Sequence, residues 1–206
     1  MKSIIFINRM LHDKKNIMVI LSSPSGVGKT TITKKIQQKY NTFKISVSHT
    51  TRKPRSNEVD GVDYFFTSEN DFKNLIKNKE FYEYAQIFEN FYGTSKKIVD
   101  KTLKKNDIIF DIDWQGTKQL SNFKDLNLIK IFLVTSKKDD LKDRLLKRNQ
   151  DSPDQLDKRL KAFDEDIKHW KDYDYIVINQ SLENCFKQIE KIILSHKETK
   201  ITQIAL

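Results

Sequence analysis

The sequence predicts an α/β fold with a mostly parallel central sheet. Short continuous apolar runs, as expected of strands buried on both faces, alternate along the chain with stretches of helical periodicity. Such alternation is typical of parallel strands joined by right-handed crossovers. The strands are predicted at residues 17–21, 107–113, 128–134 and 173–179. The helices are predicted at about residues 29–40, 115–122, 138–149, 153–170 and 182–197.

The composition indicates one folded, soluble domain. A chain of 206 residues can bury a sizeable core, and its 13 Phe, 7 Tyr and 2 Trp argue against disorder. The single cysteine, Cys185, cannot form an internal disulfide and is typical of a reducing cytosol. The apolar run at residues 4–7 is too short for a signal peptide, and no stretch approaches the roughly 20 apolar residues of a membrane span. We therefore expect a cytoplasmic protein that does not bind membranes.

The charge balance favours an anionic partner. Lys and Arg number 38 against 28 Asp and Glu, which gives a net charge of +10. The lysines are spread along the whole chain, so solvated helix faces explain them better than a nucleic-acid surface does. Nucleic-acid binding remains a rival interpretation, which tight duplex binding with a steep salt dependence would support.

The first predicted strand leads into a loop with the pattern of a phosphate-binding site. Residues 23–30 (SPSGVGKT) match G-x-x-x-x-G-K-[ST] except at Ser23, where the pattern has glycine. Between a strand and a helix, the backbone N–H groups of such a loop surround a phosphate, Lys29 reaches its oxygens and the Thr30 hydroxyl can ligate Mg²⁺. The predicted nucleotide-binding residues are Ser22, Ser23, Pro24, Ser25, Gly26, Val27, Gly28, Lys29, Thr30 and Thr31.

Serine at position 23 is expected to be a mild substitution. Pro24 follows it, and a residue before proline is restricted to extended backbone, where glycine's freedom at positive φ is not needed. The alternative interpretation of the loop is an ordinary strand–turn–helix connection whose two glycines serve only the turn. The loop by itself indicates triphosphate binding and says nothing about an acceptor substrate.

Residues 46–93 interrupt the alternation. They are rich in aromatic side chains and short extended pieces, and they contain one helix that begins at a capping-box sequence, Ser68 followed by Asp71. We interpret this region as a small insertion folded on the core. Arg52 and Arg55 lie three residues apart in its proline-containing loop, and two guanidinium groups can clamp one phosphate dianion.

The predicted strand at residues 107–113 ends in two carboxylates. Asp111 and Asp113 are two residues apart, so both are expected on one face of the strand at its carboxyl end, where ligands bind in open α/β sheets. The alternative is a strand that simply runs into a polar loop.

Arginines recur further along the chain. Arg144 and Arg148 are four residues apart and therefore share a helical face, and Arg159 follows on the next predicted helix. Surface ion pairs with Asp140 and Asp143 are the alternative explanation of these arginines.

Taken in order, the motifs resemble those of guanylate kinase over nearly the whole chain, from about residue 16 to 194. They are S-x-S-x-T-T-R-x-P-R from Ser46, D-Y-x-F from Asp63, E-[YW]-A from Glu83, Y-G-[ST] from Tyr92 and D-I-D-x-Q-G from Asp111. The resemblance implies a P-loop three-layer α/β fold with a small α+β GMP-binding insertion and a helical lid. The implied parts are an N-terminal extension (1–15), a core (16–45, 96–138 and 161–206), a GMP-binding region (46–95) and a lid (139–160).

The resemblance also implies a role for each matching residue. The GMP phosphate would be held by Arg52, Arg55, Tyr64 and Tyr92, and the guanine read by Ser48, Glu83, Thr94 and Asp113. Mg²⁺ would be held by Thr30 and Asp111, and Asn179 would lie near the ATP adenine. The catalytic residues would be Lys29, Arg52 and the lid arginines Arg144, Arg148 and Arg159.

The chemistry of Glu83 agrees with its implied role. Guanine presents N1–H and an exocyclic amino group side by side, which is a donor pair that matches one carboxylate. Adenine has an acceptor at N1 and would leave a buried carboxylate poorly satisfied, so such a site rejects the wrong base strongly. Taken alone, Glu83 is better explained as an exposed strand residue; its place in the family order beside Arg52, Arg55 and Tyr92 favours base recognition.

The chain departs from the family pattern at three positions. Asn57 and Asn149 stand where the family usually has glycine, and Gln180 stands where aspartate is commoner. Asparagine tolerates the left-handed region better than other non-glycine residues, so a modest cost in backbone strain is expected.

The expected activity is therefore ATP-dependent phosphorylation of GMP, with dGMP as a further acceptor, Mg²⁺ as cofactor and a monomeric or homo-oligomeric protein. The rival is a non-catalytic guanylate-kinase-like interaction module that has lost nucleotide contacts. Lys29, Thr30 and Asp111 are all present, which favours the enzyme.

Overall fold

The computed structural model describes residues 16–135, 141–142, 145–146 and 153–204. The strands are β1 (Met18–Ser22), β2 (Phe43–Ile45), β3 (His49–Thr50), β4 (Phe65–Phe66), β5 (Phe81–Ile87), β6 (Asn90–Ser95), β7 (Asp107–Asp111), β8 (Leu128–Val134) and β9 (Tyr175–Ile178). The helices are α1 (Lys29–Lys39), α2 (Glu69–Lys77), α3 (Lys96–Leu103), α4 (Trp114–Leu120), α5 (Pro153–Asp166), the 3₁₀ helix Ile167–Asp172 and α6 (Leu182–Ile204). Residues 141–142 and 145–146 are also helical. Within these ranges no helix combines the length and the apolar character needed to cross a membrane.

A five-stranded parallel sheet forms the centre of the fold and confirms the predicted mostly parallel sheet. Its strand order is β2-β7-β1-β8-β9, and each neighbouring pair is parallel. From β1 the chain first builds β2 and β7 on one side, and later β8 and β9 on the other. Ligands of open α/β sheets bind where the strand order reverses in this way, outside the carboxyl ends of the strands. The loop that follows β1 lies at this point.

Helices cover both faces of the sheet, which gives three layers. Because side chains alternate along a strand, β1 directs Val19 and Leu21 to one face and Met18 and Ile20 to the other. The first face packs against α1 and α6, and the second against α3 and α4. The buried helix residues in these contacts include Ile32, Ile36, Phe186 and Ile189 on the first face and Val99 and Leu120 on the second.

The insertion forms a second sheet. Its order is β4-β3-β6-β5, with β3 and β4 parallel and the other neighbouring pairs antiparallel. Ser68 caps the N-terminus of helix α2 as predicted, because its hydroxyl accepts a hydrogen bond from the Asp71 backbone N–H (3.1 Å). Phe72 of α2 is buried and packs on Phe81 and Phe91 of this sheet.

Several predicted boundaries differ from the structure. Strand β7 ends at Asp111 rather than at residue 113, because Asp113 is the N-cap of α4 and its carboxylate accepts the Gly116 backbone N–H. The helix predicted over residues 153–170 changes at Asp166 into a 3₁₀ helix. Strand β2 was not predicted, since three residues carry too little periodicity.

The backbone strain expected of asparagine in place of glycine is a wrong prediction at Asn57. Among the residues described, the non-glycine residues with positive φ are Lys79 and Phe88. Asn57 instead lies in a turn that is closed by a hydrogen bond from the Glu58 N–H to the Arg55 carbonyl (3.1 Å). Asn149 lies outside the described residues.

Candidate active site

The loop after β1 has the backbone that a phosphate-binding loop requires. Gly26 and Gly28 have φ values of 91° and 111°, in a region that side-chain-bearing residues rarely adopt. A Cβ added at Gly26 would lie 2.7 Å from Leu145 Cδ2 and 2.8 Å from Leu141 Cδ1, so both side chains close over this glycine. Helix α1 begins at Lys29, immediately after the loop, and directs its positive end toward it.

Lys29 is held at the mouth of the loop. Its Nζ donates to the carbonyl of Ser23 (3.0 Å) and to the Ser23 hydroxyl (3.1 Å), and it lies 4.0 Å from Asp111 Oδ1. Ser23 does not have positive φ, which agrees with the expectation that glycine is not needed there. Serine instead supplies an oxygen to Lys29 that glycine could not.

Two residues that are distant in sequence contact the loop. The Asn179 side-chain amide donates to the carbonyl of Val27 (2.7 Å), and the Arg159 guanidinium donates to the Ser25 hydroxyl. The structure therefore brings Arg159 and Asn179 to the predicted triphosphate site. Arg144 and Arg148, the other two predicted lid arginines, lie outside the described residues.

A hydroxyl and a carboxylate meet beside the loop. The Thr30 hydroxyl, on the first turn of α1, donates to Asp111 Oδ2 at the end of β7 (2.6 Å). Both groups offer oxygen, which is the donor that Mg²⁺ prefers, and such sites use one or two protein ligands together with substrate phosphates. No group of three or more His, Cys, Asp and Glu side chains suited to a metal occurs among the residues described.

The insertion carries a second cationic site. Arg52 is oriented by Glu58, since its Nη2 lies 2.7 Å from Glu58 Oε1, and its guanidinium lies over the ring of Tyr64 (5.3 Å to the centroid). The backbone N–H of Arg55 also donates to Glu58 (2.8 Å), while the Arg55 side chain is 48% exposed. Tyr92 meets Tyr64 edge to face. The predicted cluster of Arg52, Arg55, Tyr64 and Tyr92 is thus assembled around Glu58.

Electrostatics at this cluster follow from its burial and contacts. Burial opposes the charge of Glu58, but hydrogen bonds from Arg52 and from the Arg55 N–H hold the pKa of its carboxyl below the usual value. Burial, followed by the charge of Asp111, raises the pKa of Tyr64 to about 12, so this phenol remains a hydrogen-bond donor. Glu58 was not predicted as a site residue; its position three residues after Arg55 was the available signal.

A buried carboxylate lies next to the end of β7. Glu83 is 4% exposed, and the Thr94 hydroxyl on the neighbouring strand donates to its Oε1 (2.5 Å). A β-bulge in β5 between Phe81 and Glu83 places Glu83 directly opposite Thr94. Burial, and then the charge of nearby Asp113, raises the pKa of Glu83 to about 7. The structure thus brings together Glu83, Thr94 and Asp113, three of the four residues to which the resemblance assigns base recognition.

Comparisons with known proteins show the family to which the chain belongs. A family model described as guanylate kinase matches residues 15–196. The chain belongs to the guanylate kinase family. It is 39% identical over 194 residues to a guanylate kinase of Novosphingobium aromaticivorans, covering 94% of this chain and 88% of the relative. It is 42% identical over 185 residues to a guanylate kinase of Clostridioides difficile, covering 89% and 90%. The solved structure of the Anaplasma phagocytophilum guanylate kinase is 30% identical, with a TM-score of 0.73 over 88% of this chain and 86% of that one.

One further carboxylate of this guanylate kinase fold lies near both groups of site residues. Asp166, the last residue of α5, interacts with Lys29, Asp113 and the Trp114 side chain, and burial raises its pKa to about 6. The stacked rings of Trp114 and His169 lie beside it (3.7 Å between centroids). Sequence reasoning missed Asp166 because it lies within a run of charged helical residues.

Proposed function

We propose that this protein transfers the γ-phosphoryl group of ATP to GMP, giving ADP and GDP. The observation that carries the proposal is the buried carboxylate of Glu83, bonded by Thr94 and placed beside Asp113. A carboxylate in this setting can accept the paired N1–H and amino donors of guanine, whereas adenine presents an acceptor at N1. Because a buried polar group left without a partner is costly, this pairing selects guanine.

ATP is proposed to bind at the loop after β1. Backbone N–H groups from Gly26 to Thr30 would surround its phosphates, and Lys29 would exchange its bonds to Ser23 for phosphate oxygens. Thr30 and Asp111 would hold Mg²⁺, which supplies charge neutralisation of the phosphates. Arg159 approaches the same loop, and Asn179 would lie near the adenine.

The acceptor phosphate is proposed to lie between Arg52, Arg55, Tyr64 and Tyr92. Its oxygen is already anionic, so the reaction needs no general base. Catalysis then consists of alignment of the two phosphates and stabilisation of the transferring group by Lys29, Arg52 and Arg159. Arg144 and Arg148 keep their predicted roles in a lid over residues 139–160, whose closure would exclude water.

We assign the protein to purine nucleotide metabolism in the cytoplasm, with residues 46–95 as the GMP-binding region, Ser48 among the guanine contacts, and dGMP as a second acceptor. The contact between Thr30 and Asp111, with Lys29 beside it, favours an enzyme over a non-catalytic interaction module. Such a module would have no need to keep these three groups together.

The test is a coupled assay of ADP release with ATP and, in turn, GMP, dGMP, AMP, UMP and dTMP. GMP should give the highest rate, AMP should give little, and chelation of Mg²⁺ should abolish a rate that added Mg²⁺ restores. The Lys29→Ala variant, prepared identically, controls for contaminating kinases. Equal rates with AMP and GMP would overturn the assignment of Glu83.

A further inference from the structure

One face of helix α4 is directed at the strand that carries Glu83. Asp113, Gly116 and Gln119 follow each other at intervals of three residues, so they lie on one side of the helix. Asp113 caps the helix and influences the charge of Glu83, while Gly116 and Gln119 contact β5 directly. This helix belongs to the core and β5 belongs to the insertion.

Gln119 holds the main chain next to Glu83. Its Nε2 donates to the carbonyl of Tyr84 (2.6 Å), and its Oε1 accepts the backbone N–H of Tyr84 (3.1 Å). Strand β5 is at the edge of its sheet, so Tyr84 directs both backbone groups away from β6. The side-chain amide pairs with them as a residue of a neighbouring strand would. It therefore fixes the backbone of the residue that follows Glu83.

Gly116 determines where the Glu83 carboxylate can lie. A Cβ added at Gly116 would be 2.5 Å from Glu83 Oε2 and 3.0 Å from Glu83 Cδ. Glu83 cannot easily move aside, since it is buried and its other oxygen is bonded by Thr94. Glycine inside a helix is less favourable than alanine, so this position gives up helix stability in return for room at the carboxylate.

We propose that Gln119 and Gly116 are positioning residues for base selection, because together they fix the Glu83 carboxylate in the position and orientation that match the two donors of guanine. The proposal rests on the GMP-phosphorylating function and deepens it. Neither residue needs to touch the base. Gln119 acts through the backbone of Tyr84, and Gly116 acts by the absence of a side chain.

The experiment compares the Gln119→Glu, Gln119→Ala and Gly116→Ala variants with GMP and with IMP as acceptors. IMP keeps the N1–H of guanine and lacks the amino group, so the ratio of the two kcat/KM values reports how well the carboxylate spans both donors. Gln119→Glu keeps the shape and the acceptor, and it replaces the donor to the Tyr84 carbonyl by an oxygen. Lys118→Ala, at an exposed position of the same helix, is the matched control.

The three variants should lower kcat/KM for GMP roughly tenfold or more. Each would displace the Glu83 carboxylate and with it the bound GMP, and even small errors in the placement of a reactant are costly. The loss with IMP should be smaller, so the GMP/IMP ratio falls. The KM for ATP and the behaviour of Lys118→Ala should match the parent. Thermal unfolding, measured in parallel, identifies variants that fail to fold, and the isosteric Gln119→Glu keeps the test open if Gly116→Ala is one of them.

The outcomes separate the two levels of inference. An unchanged GMP/IMP ratio in folded variants of an active parent overturns the positioning roles alone. Equal losses of kcat/KM for GMP and IMP, accompanied by an equal loss of kcat/KM for ATP, also overturn the positioning roles, since a merely structural effect would lower all three alike. A parent that does not phosphorylate GMP overturns the proposed function, and the positioning roles with it.

Discussion

Replacing Glu83 by glutamine should stabilise the protein at alkaline pH while weakening its selection of guanine. The carboxylate is buried, and burial together with the charge of Asp113 raises its pKa from 4.5 to about 7. Glutamine has nearly the same shape, carries no charge and can still accept the hydrogen bond of Thr94. The substitution therefore removes the cost of ionising this group inside the protein.

The size of the effect follows from the two pKa values. Between 4.5 and about 7 the folded protein keeps a proton that the unfolded chain releases, so Glu83 lowers the free energy of unfolding as the pH rises through this interval. At 1.36 kcal/mol per pKa unit, the cost is about 3 kcal/mol at pH 8 and about 1 kcal/mol at pH 5. For a protein of this size, about 3 kcal/mol corresponds to a rise in Tm of roughly 6–12 °C.

The assay is denaturant unfolding of the parent and of Glu83→Gln from pH 5 to pH 8. The gain in unfolding free energy should grow with pH, and the exposed Glu80→Gln in the same segment is the control, which should differ little from the parent. In the coupled assay, Glu83→Gln should lose discrimination between GMP and IMP. A stability difference that is constant with pH would refute the raised pKa and the reasoning built on it.

Three further substitutions test the ATP side. Lys29→Ala should lower kcat at least about a hundredfold, by loss of a charge that stabilises the transferring group, and should leave GMP binding by calorimetry largely intact; loss of GMP binding as well would show that the two sites are not separate. Ser23→Gly should change the KM for ATP no more than about fivefold, since the hydroxyl contributes one hydrogen bond of about 1 kcal/mol, which Lys29 gives up when it turns to the phosphates; a larger change would mean that the serine hydroxyl has a greater role. Gly26→Ala should lower the unfolding free energy by about 2 kcal/mol, because φ is 91° and the new Cβ meets Leu141 and Leu145; unchanged denaturation would contradict that geometry.

The sequence predicts the parallel sheet well because β1 and β8 are continuous apolar runs bounded by turn residues. β1 is buried along its whole length, and β8 is buried or half-buried along its own. The short strands β2, β3 and β4 have three residues or fewer, and their pairing is decided by tertiary contacts. The end of β7 was misplaced for a related reason. Asp113 caps the following helix, but in the sequence it cannot be distinguished from one more residue of the strand.

At the candidate site, the sequence motifs predicted the residues that would contact the nucleotides themselves. They missed residues that orient those contacting residues. Lys29, Arg52 and Glu83 have charges that suggest their partners. Glu58 orients Arg52, and its position three residues after Arg55 was the one local signal of that role. Gln119 orients the neighbour of Glu83, and no local pattern distinguishes it from a surface residue. Their importance arises from strands and helices that meet only in the folded chain.

The segment from Asp111 to Asp113 explains why these orienting groups matter. Asp111 lies against Thr30 and Lys29 at the proposed triphosphate site, while Asp113, two residues later, lies beside Glu83 at the proposed base site. Two residues of backbone span at most about 7 Å, so the proposed phosphate and base sites share one short connection between β7 and α4. A shift of α4 that spoiled base recognition would thereby also move Asp111 relative to Lys29. Base recognition therefore also depends on how the insertion is held against α4. The two hydrogen bonds between the Gln119 side chain and the Tyr84 backbone provide that attachment.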